Sequence, residues 1–395
     1  MTQSSSTAQA LRRSELPGRY DRGLLLAALG LAGLGVIMVA SSSIPIADHQ
    51  HIGAFYFLTR HLVFLSGGMI LATVAMRLEL ERFERYSFAL LLIALVLLLS
   101  VYVPGLGMKI NGARRWIHLG ISGFQPVEAV KLLLVAYMAS YLVRHREGVQ
   151  RQLFGVVKPV AVAGIAVLLL LAQPDFGSAA LLVATTVGMI WLGGARMRNL
   201  VMLATPLMPA LAWAAMTEDY RIKRLTSFLD PWKDPFNDGF QLTQALIAIG
   251  RGEWFGVGLG GSIQKLFYLP EAHTDFILAV IAEELGLFGI VLVLALFSWL
   301  CGRGLLLGSR AVTRGLYFQG YVAFGISLCI GLQALVSIGV NLGVLPTKGL
   351  TLPLVSSGGS SVLMTCMMVG VLLRVSYELS REEAQSALTA AEVAP

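Results

Sequence analysis

Apolar runs long enough to span a bilayer, separated by short polar connections, fill almost the whole chain. Such runs begin near Gly23, Leu62, Tyr86, Val127, Phe154, Ser178, Leu200, Phe276, Leu316 and Ser361. Each approaches the roughly 17–25 residues that a transmembrane helix needs. The pattern predicts an all-α, polytopic integral membrane protein of about ten transmembrane helices, the last being the shortest. The spans form one membrane domain over residues 23–380, between an N-terminal tail, 1–22, and a C-terminal tail, 381–395. Both tails read as disordered. The first span is too long for a signal-peptide core and reads as a retained anchor.

Three connections break this rhythm. Residues 216–274 form a large loop that mixes Trp, Phe and Tyr with turn prolines and the glycine-rich stretch GVGLGG. Its composition predicts an ordered extracytoplasmic structure at the headgroup level, not a floppy linker. Within it, FQLTQALIAIG has helical apolar spacing but is too short to cross, which suits an interfacial or partly inserted helix. A smaller loop, MKINGARRWIHLGISGFQPVE, precedes the fourth span. The third, NLGVLPTKGLTLPLVSSGGSS (residues 341–361), is too rich in glycine and proline for a continuous helix. At membrane depth such backbone is tolerated only where protein or water surrounds it.

Composition agrees with the pattern. Of 395 residues, 56% are hydrophobic and only 13% charged, against about a quarter charged in soluble domains. The net charge of +7 could suggest a nucleic-acid partner, but its distribution points elsewhere. Arg and Lys gather in the N-terminal tail, in alternate connections and at the C-terminus. That bias places both termini in the cytoplasm and argues against nucleic acid. Cys301, Cys329 and Cys366 lie in or beside apolar runs without metal-ligand spacing, as buried free thiols do.

The remaining charges carry the chemistry. Glu128 and Lys131 lie three residues apart on the fourth span and share a helix face. Two readings stand: a neutralised pair that positions helices, or a functional polar site within the membrane. Asp175 in QPDFG reads as a helix cap. In YLPEAHTDFILAVIAEELG, a helix counted from Asp275 puts Asp275, Ala279, Ala282, Gly286 and Gly289 on one small-residue stripe, with Asp275 in its first turn. Asp275 is then either an N-cap or first-turn acid favoured by the helix dipole or a carboxylate facing an outward-open cavity. Glu283 and Glu284 point to other faces and read as partners for basic residues elsewhere. Lys348, the single charge in its loop, is either a snorkelling lysine or a phosphate ligand.

Taken together, GARRWIHLG…FQPVEAVKL, QPDFG, RLTSFLDPW, GFQLTQALIAIGRGEWFGVGLGGSIQKLFYLPEAHTDF and GVLPTKGLTLPLVSSGGSS resemble the SEDS family, polytopic glycosyltransferases that polymerise lipid II into peptidoglycan. The resemblance covers nearly the whole chain. SIQKLFYLPEAHTDF and PTKGLTLP resemble the division branch (the FtsW type) more than the elongation branch (the RodA type). Three positions depart from the family pattern: Val127, Gln173 and Ser357.

The resemblance implies a ten-helix SEDS fold with an active site on the periplasmic face of the bacterial inner membrane, enriched at the division septum. It makes Asp275 the catalytic carboxylate, a base for the attacking 4-hydroxyl of lipid II. It assigns Arg115, Glu128, Lys131, Lys348 and His273 to substrate binding, the cations stabilising the undecaprenyl pyrophosphate leaving group. A divalent cation, Mg or Mn, is a further candidate for that role. Expected partners are lipid II, membrane lipid, a class B penicillin-binding protein as transpeptidase, and activators of the FtsQLB type. Two other classes compete. A lipid II flippase would use the intramembrane charges as a polar passage. A secondary transporter would carry internal repeats, and none is visible.

Overall fold

The computed structural model describes residues 18–393 except 111, 119–122, 204, 206–208, 210–226, 238 and 347–348. Among the described residues, seven helices are long and apolar enough to cross a membrane. These are α1 (Arg22–His49), α2 (Tyr56–Arg77), α5 (Pro126–Arg144), α7 (Leu153–Ala172), α10 (Ile277–Thr313), α11 (Tyr317–Asn341) and α12 (Gly359–Val393). Short helices α3 (Leu80–Arg85) and α6 (Arg146–Arg151) bridge neighbouring spans. The third and sixth expected spans are the shorter apolar helices α4 (Ser87–Ser100) and α8 (Phe176–Leu192). At 1.5 Å per residue, α4 rises only ~21 Å, short of the ~30 Å hydrocarbon core. Most of the seventh expected span, from Leu200, lies outside the described residues.

Helix α11 is the central strut, packing against α10, α8 and α5, while α12 lies along α2. Where helices meet, small residues let backbones approach. A side chain on Gly35 would strike the carbonyl of Leu354, and one on Gly370 the backbone of Ala72.

Three features go beyond the sequence pattern. The smaller outer loop folds into an antiparallel sheet of β1 (Gly107–Ile110), β2 (Ala113–His118) and β3 (Gly123–Phe124), with β2 central. The last span is not the shortest. Helix α12 runs unbroken to Val393, so the segment after Arg381 is helical and not a disordered tail. Its Glu378 accepts from Arg374, Gln319 and the backbone N–H of Leu80. The chain entering α1 docks on the same helix, with Asp21 N–H donating to Ser376 and Tyr20 against Tyr377.

Helix α10 is broken at Gly286, whose φ of 66° and ψ of −159° are not helical. The short helix α9 (Phe240–Gly252) packs on α10, and the segment after it fills the break. Val257 and Gly258 donate to the carbonyls of Glu283 and Glu284, and Leu287 and Phe288 donate to those of Glu253 and Trp254. Backbone groups that the break exposes are thus paired, as burial in an apolar bundle requires. The glutamates anchor the same segment. Glu283 meets Arg251 at 2.6 Å and also accepts from Ser262. Glu284 meets Lys265 at 2.7 Å and accepts from Ser41. Their expected role as partners for basic residues holds. The small-residue stripe does not, because the break at Gly286 ends the helical register that defined it.

Candidate active site

The candidate site is built around the connection from α11 to α12. Asp275 is not in the first turn of α10. It lies in the turn before it, two residues ahead of the first helical residue, and the capping position is held by Phe276, which makes no side-chain cap. The turn is set by Glu271, whose carbonyl accepts from Thr274 and Phe276 and whose carboxylate accepts from Thr274 Oγ1 at 2.6 Å.

Three successive carbonyls of this turn each receive a donor from the α11–α12 connection or its edge. Ser357 N–H donates to His273 O at 2.9 Å. Ser356 Oγ donates to Thr274 O at 2.6 Å. Asn341 Nδ2 donates to Asp275 O at 2.9 Å. The backbone of the HTD motif is therefore clamped while the Asp275 side chain stays partly exposed. Its carboxylate lies against Gly349, where an added Cβ would sit 2.8 Å from Oδ2. Lys348, next to that glycine, lies outside the described residues.

The same connection reaches the intramembrane pair. Pro126 opens α5 at a position where a missing N–H costs nothing, and the N–H of Gln125 is taken by Ser360 Oγ at 2.9 Å. One turn on, Lys131 Nζ lies 2.8 Å from Glu128 Oε2, with both side chains buried. The pairing expected from their spacing holds. Lys131 also donates to Gln333 Oε1 at 2.6 Å, and Gln333 Nε2 donates to Thr351 O at 3.0 Å. Glu128, Lys131 and the HTD turn are thus tied to one loop.

Arg115 is not brought to this group by any contact among the described residues. It donates from strand β2 to the carbonyls of Gln173 and Pro174, pinning the sheet to the α7–α8 turn. In that turn Asp175 caps α8 through Ser178 N–H, as its sequence context predicts. Gln173 donates to Leu98 O at 2.7 Å, a bond an ionised glutamate could not make. Of the two remaining departures, Ser357 contributes a backbone N–H and Val127 is a buried apolar residue.

His273 lies in the turn with its ring 5.1 Å from that of Phe57. Its Nδ1 is buried with no hydrogen-bond partner among the described residues. Burial pushes its pKa down, with Glu271 opposing and Arg60 adding to the shift, so the ring is neutral near pH 7. The sequence reading missed Asn341, Gln333 and Ser356. The available signal was a lone amide at each of two positions in an apolar run, since polar side chains at membrane depth call for a specific partner.

A family model described as a cell cycle protein, spanning FtsW, RodA and SpoVE, matches residues 22–381. A relative from Xanthomonas oryzae pv. oryzae, named a probable peptidoglycan glycosyltransferase FtsW, is 56% identical over 375 residues, covering 95% of this chain and 76% of its own length. One of the same name from Nitrosococcus halophilus is 50% identical over 378 residues, covering 96% and 97%. Among solved structures, a chain of a peptidoglycan synthase complex, described for its coordination of polymerization and crosslinking, aligns with a TM-score of 0.73. It is 31% identical, and the match covers 91% of this chain and 98% of that one. The rod shape determining protein RodA of Thermus thermophilus aligns with a TM-score of 0.66 at 28% identity, covering 90% and 96%.

Proposed function

The chain belongs to the FtsW/RodA/SpoVE family of cell cycle proteins, as an FtsW-type peptidoglycan glycosyltransferase, and from that premise we propose that Asp275 is the general base of lipid II polymerisation. The observation that carries this reading is the clamp on the HTD turn. It fixes the backbone of Asp275 through three carbonyls and leaves its carboxylate partly exposed beside the loop that bears Lys348.

In the proposed reaction the 4-hydroxyl of an incoming lipid II attacks the anomeric carbon of a glycan chain carried on undecaprenyl pyrophosphate. Asp275 takes the hydroxyl proton as the new glycosidic bond forms. The bond from the anomeric carbon to the pyrophosphate oxygen breaks, and both electrons leave with the pyrophosphate. A positioned base of this kind contributes ~10²–10⁴-fold, and cations at the leaving group add electrostatic stabilisation. Arg115 and Lys131 already engage other groups, Gln173 and Pro174 for one and Glu128 and Gln333 for the other. We therefore assign the pyrophosphate first to Lys348, with His273 Nδ1 a further polar contact. Among the described residues no three His, Cys, Asp or Glu side chains group as a metal site. An Mg or Mn ion, where one takes part, would ride on the substrate's pyrophosphate.

The likeness to a chain of a peptidoglycan synthase complex supports a class B penicillin-binding protein as transpeptidase partner. With the family, it also supports a multi-pass place in the inner membrane. Cytoplasmic termini, septal enrichment and FtsQLB-type activators complete the proposal. Incubating the purified protein, with and without the partner, with lipid II in detergent is the test. Glycan polymer that depends on this chain supports the reading. Absence of polymer with the folded complex, alongside lipid II movement across vesicle bilayers, would replace it with a flippase.

A further inference from the structure

We propose that Asn341 is a positioning residue for this reaction: an amide supplied from α11 that locks Asp275 and the start of α10 into one unit. The inference rests on the reading of Asp275 as the base.

Asn341 is the last residue of α11 and is fully buried. Oδ1 accepts from Ala279 N–H at 3.1 Å. Nδ2 donates to Asp275 O at 2.9 Å and to Ser337 O at 2.8 Å. Both amide protons and the carbonyl are used, so the group has one sensible orientation. Turned over, it would set an oxygen against two carbonyls.

The Ala279 bond has a particular meaning. The first N–H groups of a helix lack intrahelical partners, and the third is one that a capping side chain normally takes. Ala279 is that third residue of α10, and Phe276 at the capping position offers no side-chain acceptor. The Ala279 N–H is shared between the Phe276 carbonyl and Asn341 Oδ1, each at 3.1 Å, so Asn341 supplies the side-chain cap from another helix. An acid just ahead of a helix would ordinarily be expected to do this capping itself, which is the structural reading the sequence allows for Asp275. Here the N–H in question already has an acceptor, and the carboxylate points to Gly349 instead. The same amide then holds the Asp275 carbonyl, so one side chain sets both the helix start and the residue before it. Ser337 fixes Asn341 one turn back along α11.

The experiment compares lipid II polymerisation by the intact protein with its transpeptidase partner in Asn341→Ala, Asn341→Ser, Ser356→Ala and Asp275→Asn. Asn199→Ala, at a buried amide in the helical stretch that follows α8, serves as the stability control. Asn341→Ala is expected to lower kcat at least tenfold while KM for lipid II stays within twofold. Ser356→Ala, which removes the donor to Thr274 O, should lower kcat in the same direction by less. If Asn341→Ala does not fold, Asn341→Ser and Ser356→Ala carry the same comparison. A kcat no lower than that of Asn199→Ala at matched thermal stability, or a loss confined to KM, overturns the positioning role. Asp275→Asn separates the two claims. If it is inactive while the Asn341 variants behave as the parent, only the positioning role fails. If it polymerises normally, the base assignment fails whatever Asn341 does.

Discussion

The ammonium of Lys131 meets the side-chain carbonyl of Gln333 at 2.6 Å, and Gln333 passes its own amide to Thr351 O. The buried Glu128–Lys131 pair is therefore not an isolated ion pair but one end of a polar path to the loop that clamps Asp275.

Glu128 and Lys131 should be energetically coupled. Removing one partner of a buried pair leaves an uncompensated charge and costs ~3–5 kcal/mol, whereas replacing both costs far less. A double-mutant cycle with Glu128→Gln and Lys131→Met, read as melting temperature in detergent, checks this. The double variant should be more stable than Lys131→Met alone. Additive losses would mean that the 2.8 Å contact contributes nothing.

Gly349→Ala should damage activity with little effect on stability. The new Cβ would press on Asp275 Oδ2, and a carboxylate can swing away. Misplacing a catalytic group by about 1 Å can cost ~10²-fold. A loss of that order in polymerisation, with an unchanged melting temperature, is the expected result.

Gly286→Ala should do the reverse. At φ 66° and ψ −159° only glycine is at ease, and an added Cβ would fall 2.5 Å from the backbone of Trp254 and Gly256. Strain of this kind costs ~1–3 kcal/mol, and here the surrounding backbone cannot yield without breaking the bonds that fill the helix break. Thermal unfolding should shift down markedly, and a parent-like transition would count against the break.

These contrasts mark what was legible in the chain. Apolar periodicity gave the membrane class and most spans. Spacing of three gave the Glu128–Lys131 pair, and a local QPDFG signal gave the Asp175 cap, because each depends on neighbours in sequence. The placement of Asp275 did not, because it depends on Asn341, which is 66 residues away. The break at Gly286 sits inside an unbroken apolar run, and it exists only because residues 253–258 supply its hydrogen bonds. The sheet at 107–124 is too short for alternation to register. The end of α12 reads as polar, yet its Ala, Glu, Gln and Arg are good helix formers.

Acidification should destabilise the protein through His273. Burial holds its folded pKa below the ordinary 6.5. In the window below 6.5, the unfolded chain binds the proton and the folded one does not, so stability is present above that value and lost as pH falls. Melting temperature should therefore drop between about pH 7.5 and about pH 5.5. His273→Gln should flatten that slope, and an identical slope would remove His273 from the account.

The central claim is that the site needs the carboxylate of Asp275 for chemistry, the side-chain cap of α10 being supplied by Asn341. Asp275→Asn tests it most directly, because asparagine keeps the volume and caps helices as well as aspartate but cannot accept the hydroxyl proton. The measurement is glycan polymer formed from lipid II by the purified variant with its transpeptidase partner, beside a melting curve. The account predicts a parent-like melting temperature with polymer synthesis reduced by at least ~10²-fold. Polymer at the parent rate would contradict it and return Asp275 to a structural role.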